Sequence, residues 1–161
     1  MKVIVTGACG FIGYHLCRKL LQKDCQILGI DNFNSYYDPK LKEERFKKLD
    51  KNATKNNFKN LREDIRNFDI LNKIFKEFKP DIVVNLAAQA GVRHSIENPS
   101  EYIQTNLVGF ANILECCRIH KVKHLVYASS SSVYGGNTKM PFSEQQSVDH
   151  PVSLYAATKK S

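Results

Sequence analysis

The start of the chain carries three glycines whose spacing suits the binding of a phosphate group. Residues 3–5 form a short apolar run with β-branched side chains, which is typical of a strand buried on both faces of a parallel sheet. Gly7, Gly10 and Gly13 follow, and an apolar-periodic helix begins at Phe11. Glycines permit a tight turn and a close backbone approach, while free N–H groups and the helix dipole attract an anion. The pattern predicts a pyrophosphate-binding turn; the alternative is a glycine-rich turn without a ligand.

Asp31 is predicted to hold the ribose of a dinucleotide. It ends a second predicted strand over residues 26–30. An acid about twenty residues past such glycines suits a dinucleotide site, because its carboxylate accepts hydrogen bonds from both ribose hydroxyls. The same carboxylate repels a 2′-phosphate, so Asp31 favours NAD over NADP. The alternative is a solvated acid in a loop.

Two further strand ends carry candidate ligand-binding residues. Asp64 and Ile65 close a third predicted strand over residues 58–63, and they either hold an adenine edge or begin a turn. The loop over residues 87–93 leaves the fourth predicted strand at the sheet edge where ligands bind in doubly wound folds. Its Arg93 can bind a phosphate or carboxylate in a forked geometry, or form a surface ion pair.

The last part of the chain carries hydroxyl and amine groups in a pattern that suits acid–base chemistry. Four consecutive serines, residues 129–132, follow the fifth predicted strand, where they either grip a substrate hydroxyl or form a polar turn. Tyr155 and Lys159 are four residues apart, so on a helix they share one face. A Tyr-x-x-x-Lys pair is weak evidence when it stands alone.

Strands alternate with helices along the chain. The strands are predicted over residues 3–5, 26–30, 58–63, 81–86 and 124–128, and the helices over 11–21, 40–49, 67–78, 97–120 and from 153 onward. The helix over 97–120 is broken near Pro99, and the side chains expected to face the sheet are Ile103, Leu107, Phe110, Ile113 and Leu114. This order predicts an α/β fold: one domain over residues 1–161 with a Rossmann-like doubly wound parallel sheet and helices on both faces.

Composition and charge narrow the classes of function. The net charge is +8, and much of it lies in residues 40–59, where lysines including Lys55 alternate with acids. A solvated helix and loop is favoured over nucleic-acid binding there, because no nucleic-acid-binding motif accompanies the run. The five cysteines show no disulfide or metal spacing, and His94, His120 and His124 show none either, so no metal site is expected. The absence of a signal peptide and of a bilayer-length apolar run predicts a cytoplasmic protein with no membrane partner.

The full set of motifs resembles the extended short-chain dehydrogenase/reductase family, which contains NAD-dependent nucleotide-sugar epimerases and dehydratases. The matching motifs are Thr6-Gly7-x-x-Gly10-x-x-Gly13, Asp31, Asp64-Ile65, Asn85-Leu86-Ala87-Ala88, the serine run and Tyr155-x-x-x-Lys159. The resemblance covers the whole chain. Segments 32–38, 86–93 and 150–160 are most similar to those of UDP-glucuronate 4-epimerases.

The resemblance implies roles for individual residues. Tyr155 is the implied base that takes the proton from the sugar 4-hydroxyl, Lys159 favours the phenolate, and Ser130 orients the substrate. The implied cofactor is NAD, which takes up a hydride and returns it to the other face of a 4-keto sugar. The residues implied around NAD are Gly7, Gly10, Phe11, Ile12, Gly13, Asp31, Asn32, Asp64, Ile65, Leu86, Ala87, Ala88, Asn106, Tyr155 and Lys159. Those implied around the UDP-sugar are Arg93, Ser129, Ser130 and Ser131.

Ser131 and Ser132 distinguish this chain from related families. Related dehydratases carry an Asp-Glu pair at these positions, and decarboxylating enzymes that form xylose carry a Glu there. Without such an acid, the resemblance favours epimerisation of UDP-glucuronate; UDP-glucose or another nucleotide sugar is the alternative substrate. Members of the family are about twice as long as this chain and are commonly dimeric. Because of the difference in length, the chain is expected to stop before the C-terminal substrate domain. The alternative to an enzyme is a truncated module that binds NAD without catalysing a reaction.

Overall fold

A five-stranded parallel sheet is the framework of the computed structural model, which describes residues 1–53 and 57–161. The strands are β1 (Lys2–Thr6), β2 (Gln26–Ile30), β3 (Phe58–Leu61), β4 (Ile82–Asn85) and β5 (His124–Tyr127). Their spatial order is β3-β2-β1-β4-β5. The chain builds outward from β1 to β3 and then crosses back to β4, so the order reverses between β1 and β4. Lys55, within the basic run over residues 40–59, lies outside the described residues.

Seven α-helices are described between and after the strands. They are α1 (Phe11–Leu21), α2 (Pro39–Asn52), α3 (Phe68–Phe78), α4 (His94–Glu97), α5 (Pro99–Tyr102), α6 (Phe110–Ile119) and α7 (Leu154–Lys160). A π-helical segment (Ile103–Gly109) joins α5 to α6, and a 3₁₀ turn (Ser131–Tyr134) follows β5. Side chains cap three of the starts: Asp38 at α2, Asn67 at α3 and Ser153 at α7 each accept a backbone N–H.

The two faces of the sheet bury separate apolar clusters. Ile4 of β1 lies in one cluster with Phe75 of α3 and Ile113 of α6. Val3 and Val5, its neighbours in the strand, lie in the other cluster with side chains of α1 and α2. Successive side chains of a strand point to opposite faces, which produces this division. The predicted Rossmann-like sheet with helices on both faces is therefore confirmed.

The helix predicted over residues 97–120 is broken next to Pro99 as expected, but it contains a π-helical segment that the pattern does not predict, and its buried face is only partly the predicted one. The described segment consists of α5, the π-helical segment and α6 in succession. Ile103 and Leu114, predicted to face the sheet, are 41% and 46% exposed. Ile113 is buried as predicted, and the other buried positions are Tyr102, Asn106, Gly109 and Cys116. Two of these are polar side chains, so a search for apolar residues at helical spacing selects a neighbouring stripe.

The five cysteines are free thiols, and four of them are buried. Cys9, Cys17, Cys25 and Cys116 are buried, Cys117 is half-buried, and all five are free. Burial raises the pKa of Cys9 to about 12, with the Asp31 carboxylate as a further cause, and burial alone raises that of Cys17 to about 12. Among the described residues, no helix is long and apolar enough to cross a lipid bilayer. Within that same part of the chain, no cluster of three or more His, Cys, Asp or Glu could hold a metal ion.

Phe75 provides a test of the core. Its side chain is fully buried between α3 and the sheet. We expect Phe75→Ala to lower the free energy of unfolding by about 3–5 kcal/mol, because the substitution removes the ring and leaves a cavity. Urea denaturation measures this change. Phe78→Ala, on the same helix but half-buried, is the matched control and should cost clearly less; equal losses from both would contradict this core.

Candidate functional site

A cavity of about 300 Å³ opens at the carboxyl ends of the strands, where the strand order reverses between β1 and β4. Ligands of doubly wound sheets bind at this point. The glycine turn, the end of β2, residues 63–65 and the loop after β4 line the cavity. The predicted cofactor residues on its wall are Gly7, Gly10, Phe11, Ile12, Gly13, Asp31, Asn32, Asp64, Ile65, Leu86, Ala87 and Ala88. The structure thus brings together twelve of the positions implied by the resemblance.

The glycine turn needs glycine at two positions for different reasons. Gly7 has a φ of +67°, in the left-handed region, and its N–H donates to the Ile30 carbonyl at 2.7 Å. A Cβ on Gly13 would collide with the Gly7 carbonyl oxygen, so the first turn of α1 lies against the turn itself. Gly10 begins α1 without a side-chain cap. The N–H groups at this helix start therefore face the cavity with the positive end of the helix dipole, which suits an anion.

The Asp31 carboxylate is held from three sides. It is 5% exposed, and it accepts hydrogen bonds from the N–H of Cys9 at 3.0 Å and from that of Phe33 at 2.9 Å. Lys42 Nζ lies 3.4 Å from its Oδ1 and donates to Asn34 Oδ1 at 3.1 Å. Asp31 is therefore part of a rigid polar cluster on the cavity wall, which contradicts a solvated acid in a loop.

Lys42 corrects the prediction that the basic run is solvated throughout. Lys42 is only 7% exposed, and it lines the cavity. Lys42, Phe46 and Leu49 follow one another at helical spacing on the inner face of α2, and this periodicity could have identified the lysine. A charge at a position of the buried stripe must be paired, and Asp31 supplies the partner.

Asp64 begins a turn and also lines the cavity, and its contact with an adenine edge stays a prediction. Its carboxylate accepts the backbone N–H of Arg66 at 2.9 Å and two guanidinium hydrogen bonds at 2.8 and 3.0 Å. Asn32 Nδ2 donates to it at 2.9 Å. Burial alone would raise the pKa of Asp64, but the hydrogen bonds from Arg66 and Asn32 outweigh it and lower the pKa below its usual value. Ile65 is buried in the core cluster beneath.

The loop after β4 is held by buried polar side chains of β1 and the π-helical segment. Thr6 Oγ1 accepts the N–H groups of Leu86 and Ala87, each at 3.1 Å. Asn106 accepts the Gln89 N–H at 2.8 Å and donates to the Gln89 carbonyl at 3.0 Å. The same amide group donates to Thr158 on α7 at 3.1 Å. Asn106 therefore ties the loop to α7, and its predicted contact with the nicotinamide stays a prediction.

A second cavity, of about 200 Å³, lies beside β5 and α7. Lys159, Ser129 and Asn106 are among its lining residues. Lys159 Nζ donates to the Ala128 carbonyl at 2.8 Å, and burial lowers the pKa of this lysine. The structure thus joins Lys159 to the strand end that carries the serines.

Four predicted site residues lie outside both cavities. Tyr155 is half-buried on α7, where its N–H donates to Ser95 Oγ at 3.3 Å and its ring meets that of Tyr102 edge-on. Ser130 Oγ caps the 3₁₀ turn by accepting the Ser132 N–H, as a polar turn would require. Ser131 and Arg93 are exposed. Arg93 forms no ion pair with the residues that the structure describes.

Comparison with known proteins identifies relatives along the whole chain. The family model described as GDP-mannose 4,6 dehydratase matches residues 4–161. Protein CapI of Staphylococcus aureus is 54% identical, over 100% of this chain and 47% of CapI. UDP-glucuronate 4-epimerase 4 of Arabidopsis thaliana is 48% identical, over 99% of this chain and 36% of that protein.

The fold also matches solved structures. UDP-glucuronic acid 4-epimerase from Bacillus cereus, in complex with UDP-glucuronic acid and NAD, matches with a TM-score of 0.88 and 36% identity. The match covers 99% of this chain and 49% of that one. The chain spans about half the length of the curated relatives it matches.

The lowered pKa of Lys159 has a consequence for stability. Between its lowered folded-state pKa and the ordinary value of 10.5, the unfolded chain binds more protons than the folded one at this site. This difference makes the free energy of unfolding rise with pH across that window. We expect Lys159→Met to lose this contribution, so that the wild type gains stability relative to the variant as the pH approaches 10.5.

Denaturant titrations at several pH values measure the difference between the two proteins. Lys160→Met, at the exposed neighbouring position, is the control. The stability of the wild type relative to this variant should show no burial-dependent rise with pH. A difference between wild type and Lys159→Met that stays constant with pH would contradict the burial of this amine.

Proposed function

The chain belongs to the NAD-dependent epimerase/dehydratase branch of the short-chain dehydrogenase/reductase family, and we propose that it forms the NAD-binding part of a UDP-glucuronate 4-epimerase. The observation that carries the proposal is the convergence of the glycine turn and Asp31 on one cavity at the reversal point of the sheet. The relatives named UDP-glucuronate 4-epimerase support the substrate and the reaction.

The residues around the first cavity fit NAD. The positive φ of Gly7 and the lack of room for a Cβ at Gly13 both require glycine, and the uncapped start of α1 offers N–H groups to a pyrophosphate. Asp31 would accept hydrogen bonds from a ribose, with Lys42 holding the carboxylate in place. Asp64 and Ile65 would border the adenine. When bound, NAD supplies the chemistry of accepting a hydride from a carbinol carbon and returning it.

Tyr155 and Lys159 would move the proton. In this proposal, the Tyr155 phenolate takes the proton of the sugar 4-hydroxyl as the hydride leaves C4, which gives a 4-keto sugar. Lys159 supplies a positive charge that favours the phenolate. After the keto sugar turns over, Tyr155 returns the proton to the 4-oxygen while the hydride returns to the opposite face of C4. Both proton and hydride go back, so the reaction has no net oxidation.

The substrate end of the proposal depends on the loops after β4 and β5. Ser129, Ser130 and Ser131 would orient sugar hydroxyls, and Arg93 would meet the carboxylate or diphosphate of the substrate. Ser131 and Ser132 supply no carboxylic acid for water elimination, which supports an epimerase although the matching family model is described as a dehydratase. We further propose a cytoplasmic location, supported by the five free cysteines, and a homodimer for the intact enzyme.

Turnover tests the proposed reaction. We expect this chain to bind NAD in a calorimetric titration, and we expect the intact enzyme that contains it to convert UDP-glucuronate to UDP-galacturonate. Tyr155→Phe should keep its NAD affinity and lower kcat by about 10²–10⁴-fold, because the general base is lost. Tyr14→Phe, on α1 and outside both cavities, is the control.

Other outcomes of this assay select other functions. A product from UDP-glucose alone would replace the proposed substrate. NAD binding without conversion of either sugar would identify a binding module, and failure to bind NAD would refute the proposal as a whole.

Lys42 tests the ribose end of the site. We expect Lys42→Met to weaken NAD binding about tenfold, because the Asp31 carboxylate loses a charged partner that fixes its orientation. Calorimetry with NAD measures the change. Lys47→Met, exposed on the same helix, removes an equal charge without touching Asp31. Equal weakening in both variants would mean that the general positive charge, and not the buried pair, matters.

A further inference from the structure

Tyr102 is a fully buried tyrosine whose hydroxyl holds the loop after β4. It ends α5 and is 0% exposed. Its hydroxyl proton is shared between the carbonyl oxygens of Ala90 and Gly91, at 2.6 and 2.7 Å. Gly91 has a φ of +104°, so the loop turns at this point in a conformation that other residues rarely adopt. The hydroxyl therefore fixes the backbone at Ala90 and Gly91, and Ala90 lines the first cavity.

The ring of Tyr102 reaches the proposed base. Its centroid lies 6.2 Å from that of Tyr155, with an angle of 82° between the rings. Edge-to-face pairs at such separations are attractive. On the other side of Tyr155, the backbone N–H donates to Ser95 Oγ, and Ser95 in turn donates to the Val92 carbonyl. The start of α7 is thus connected to the loop on two sides.

The π-helical segment places a second polar residue on the same face as Tyr102. Asn106 follows four residues later and binds both the N–H and the carbonyl of Gln89. It also donates to Thr158, one turn beyond Tyr155 on α7. Together Tyr102 and Asn106 hold four backbone polar groups of residues 89–91, and both contact α7.

We propose that Tyr102 is a positioning residue that couples the cavity-lining loop to the orientation of the Tyr155 ring. The Tyr102 hydroxyl orders the loop. The Tyr102 ring determines which face of the Tyr155 phenol meets the substrate. The inference rests on the proposed function for the role of Tyr155. The hydroxyl acts on NAD binding and the ring acts on turnover. Substitutions that remove the hydroxyl alone, or both groups, can therefore separate the two effects.

The chemistry of the site explains why tyrosine is needed. Phenylalanine would keep the ring but leave the Ala90 and Gly91 carbonyls without the hydroxyl that they share. Methionine would fill much of the volume but provide neither ring nor donor. Burial raises the pKa of Tyr102, so the hydroxyl keeps the proton that it donates.

Two variants, each made in the intact enzyme that contains this chain, separate the two effects. Tyr102→Phe should weaken NAD binding about five- to tenfold, because binding must then order a loop that the hydroxyl no longer holds. Its kcat at saturating NAD should stay within about twofold, since the ring is retained. Tyr102→Met should show the same weaker binding and also lower kcat by about tenfold or more, because the phenol of Tyr155 is displaced.

Phe75→Leu is the matched control for a general loss of packing. Phe75 is as buried as Tyr102 but lies on α3 and, as a phenylalanine, donates no hydrogen bond to the loop, so this variant should lower the melting temperature without changing NAD affinity or kcat. If Tyr102→Phe binds NAD like the wild type, the coupling is refuted, whether or not Tyr102→Met folds. If Tyr102→Met and Phe75→Leu lose kcat equally, the ring has no positioning role. A wild type that binds no NAD would refute the proposed function itself, which is a different outcome.

Discussion

The backbone of the loop after β4 needs hydrogen-bond partners inside the protein, and the arrangement of the site follows from this need. Residues 86–91 are buried or half-buried beneath the cavity, so unpaired N–H and C=O groups there would be costly. Thr6, Asn106 and Tyr102 provide the partners from three separate elements. Because strand and helices supply them, the loop has a fixed shape, and small residues such as Ala87 and Ala88 can border a ligand closely.

Two lysines withdrawn from water give the site its charge. Lys42 lines the first cavity and is paired with the Asp31 carboxylate. Lys159 lines the second and has a carbonyl oxygen, that of Ala128, as its described hydrogen-bond partner. A carbonyl compensates a buried cation less completely than a carboxylate does, and burial accordingly lowers the pKa of Lys159. The uncompensated charge suits the stabilisation of an anion that forms nearby, as a phenolate would.

The sequence predicted the fold well, and twelve of the proposed cofactor residues lie on one cavity, because both depend on local patterns. The bounds of β2 are those expected from its apolar run, and the glycine turn lies where the spacing places it. The third strand ends two residues earlier than predicted, at Leu61, and the long helix is interrupted by a π-helical segment. In this segment the buried face includes Tyr102 and Asn106, whose polar groups form hydrogen bonds with the loop after β4. Apolar periodicity alone therefore selected some exposed residues in place of these polar ones. Lys42 was missed for a similar reason, since a lysine in a charged run reads as solvated unless its partner is known.

The proposed catalytic end of the site depends on contacts between distant parts of the chain, which no local pattern shows. Tyr155 bonds to Ser95 across 60 positions, Asn106 to Thr158 across 52, and Lys159 to Ala128 across 31. Each of these contacts joins α7 to an element that follows β4 or β5. The placement of Tyr155 is therefore a property of those loops as much as of its own helix. A change that loosens the loop after β4 must also alter α7, because Asn106 and Ser95 bind both.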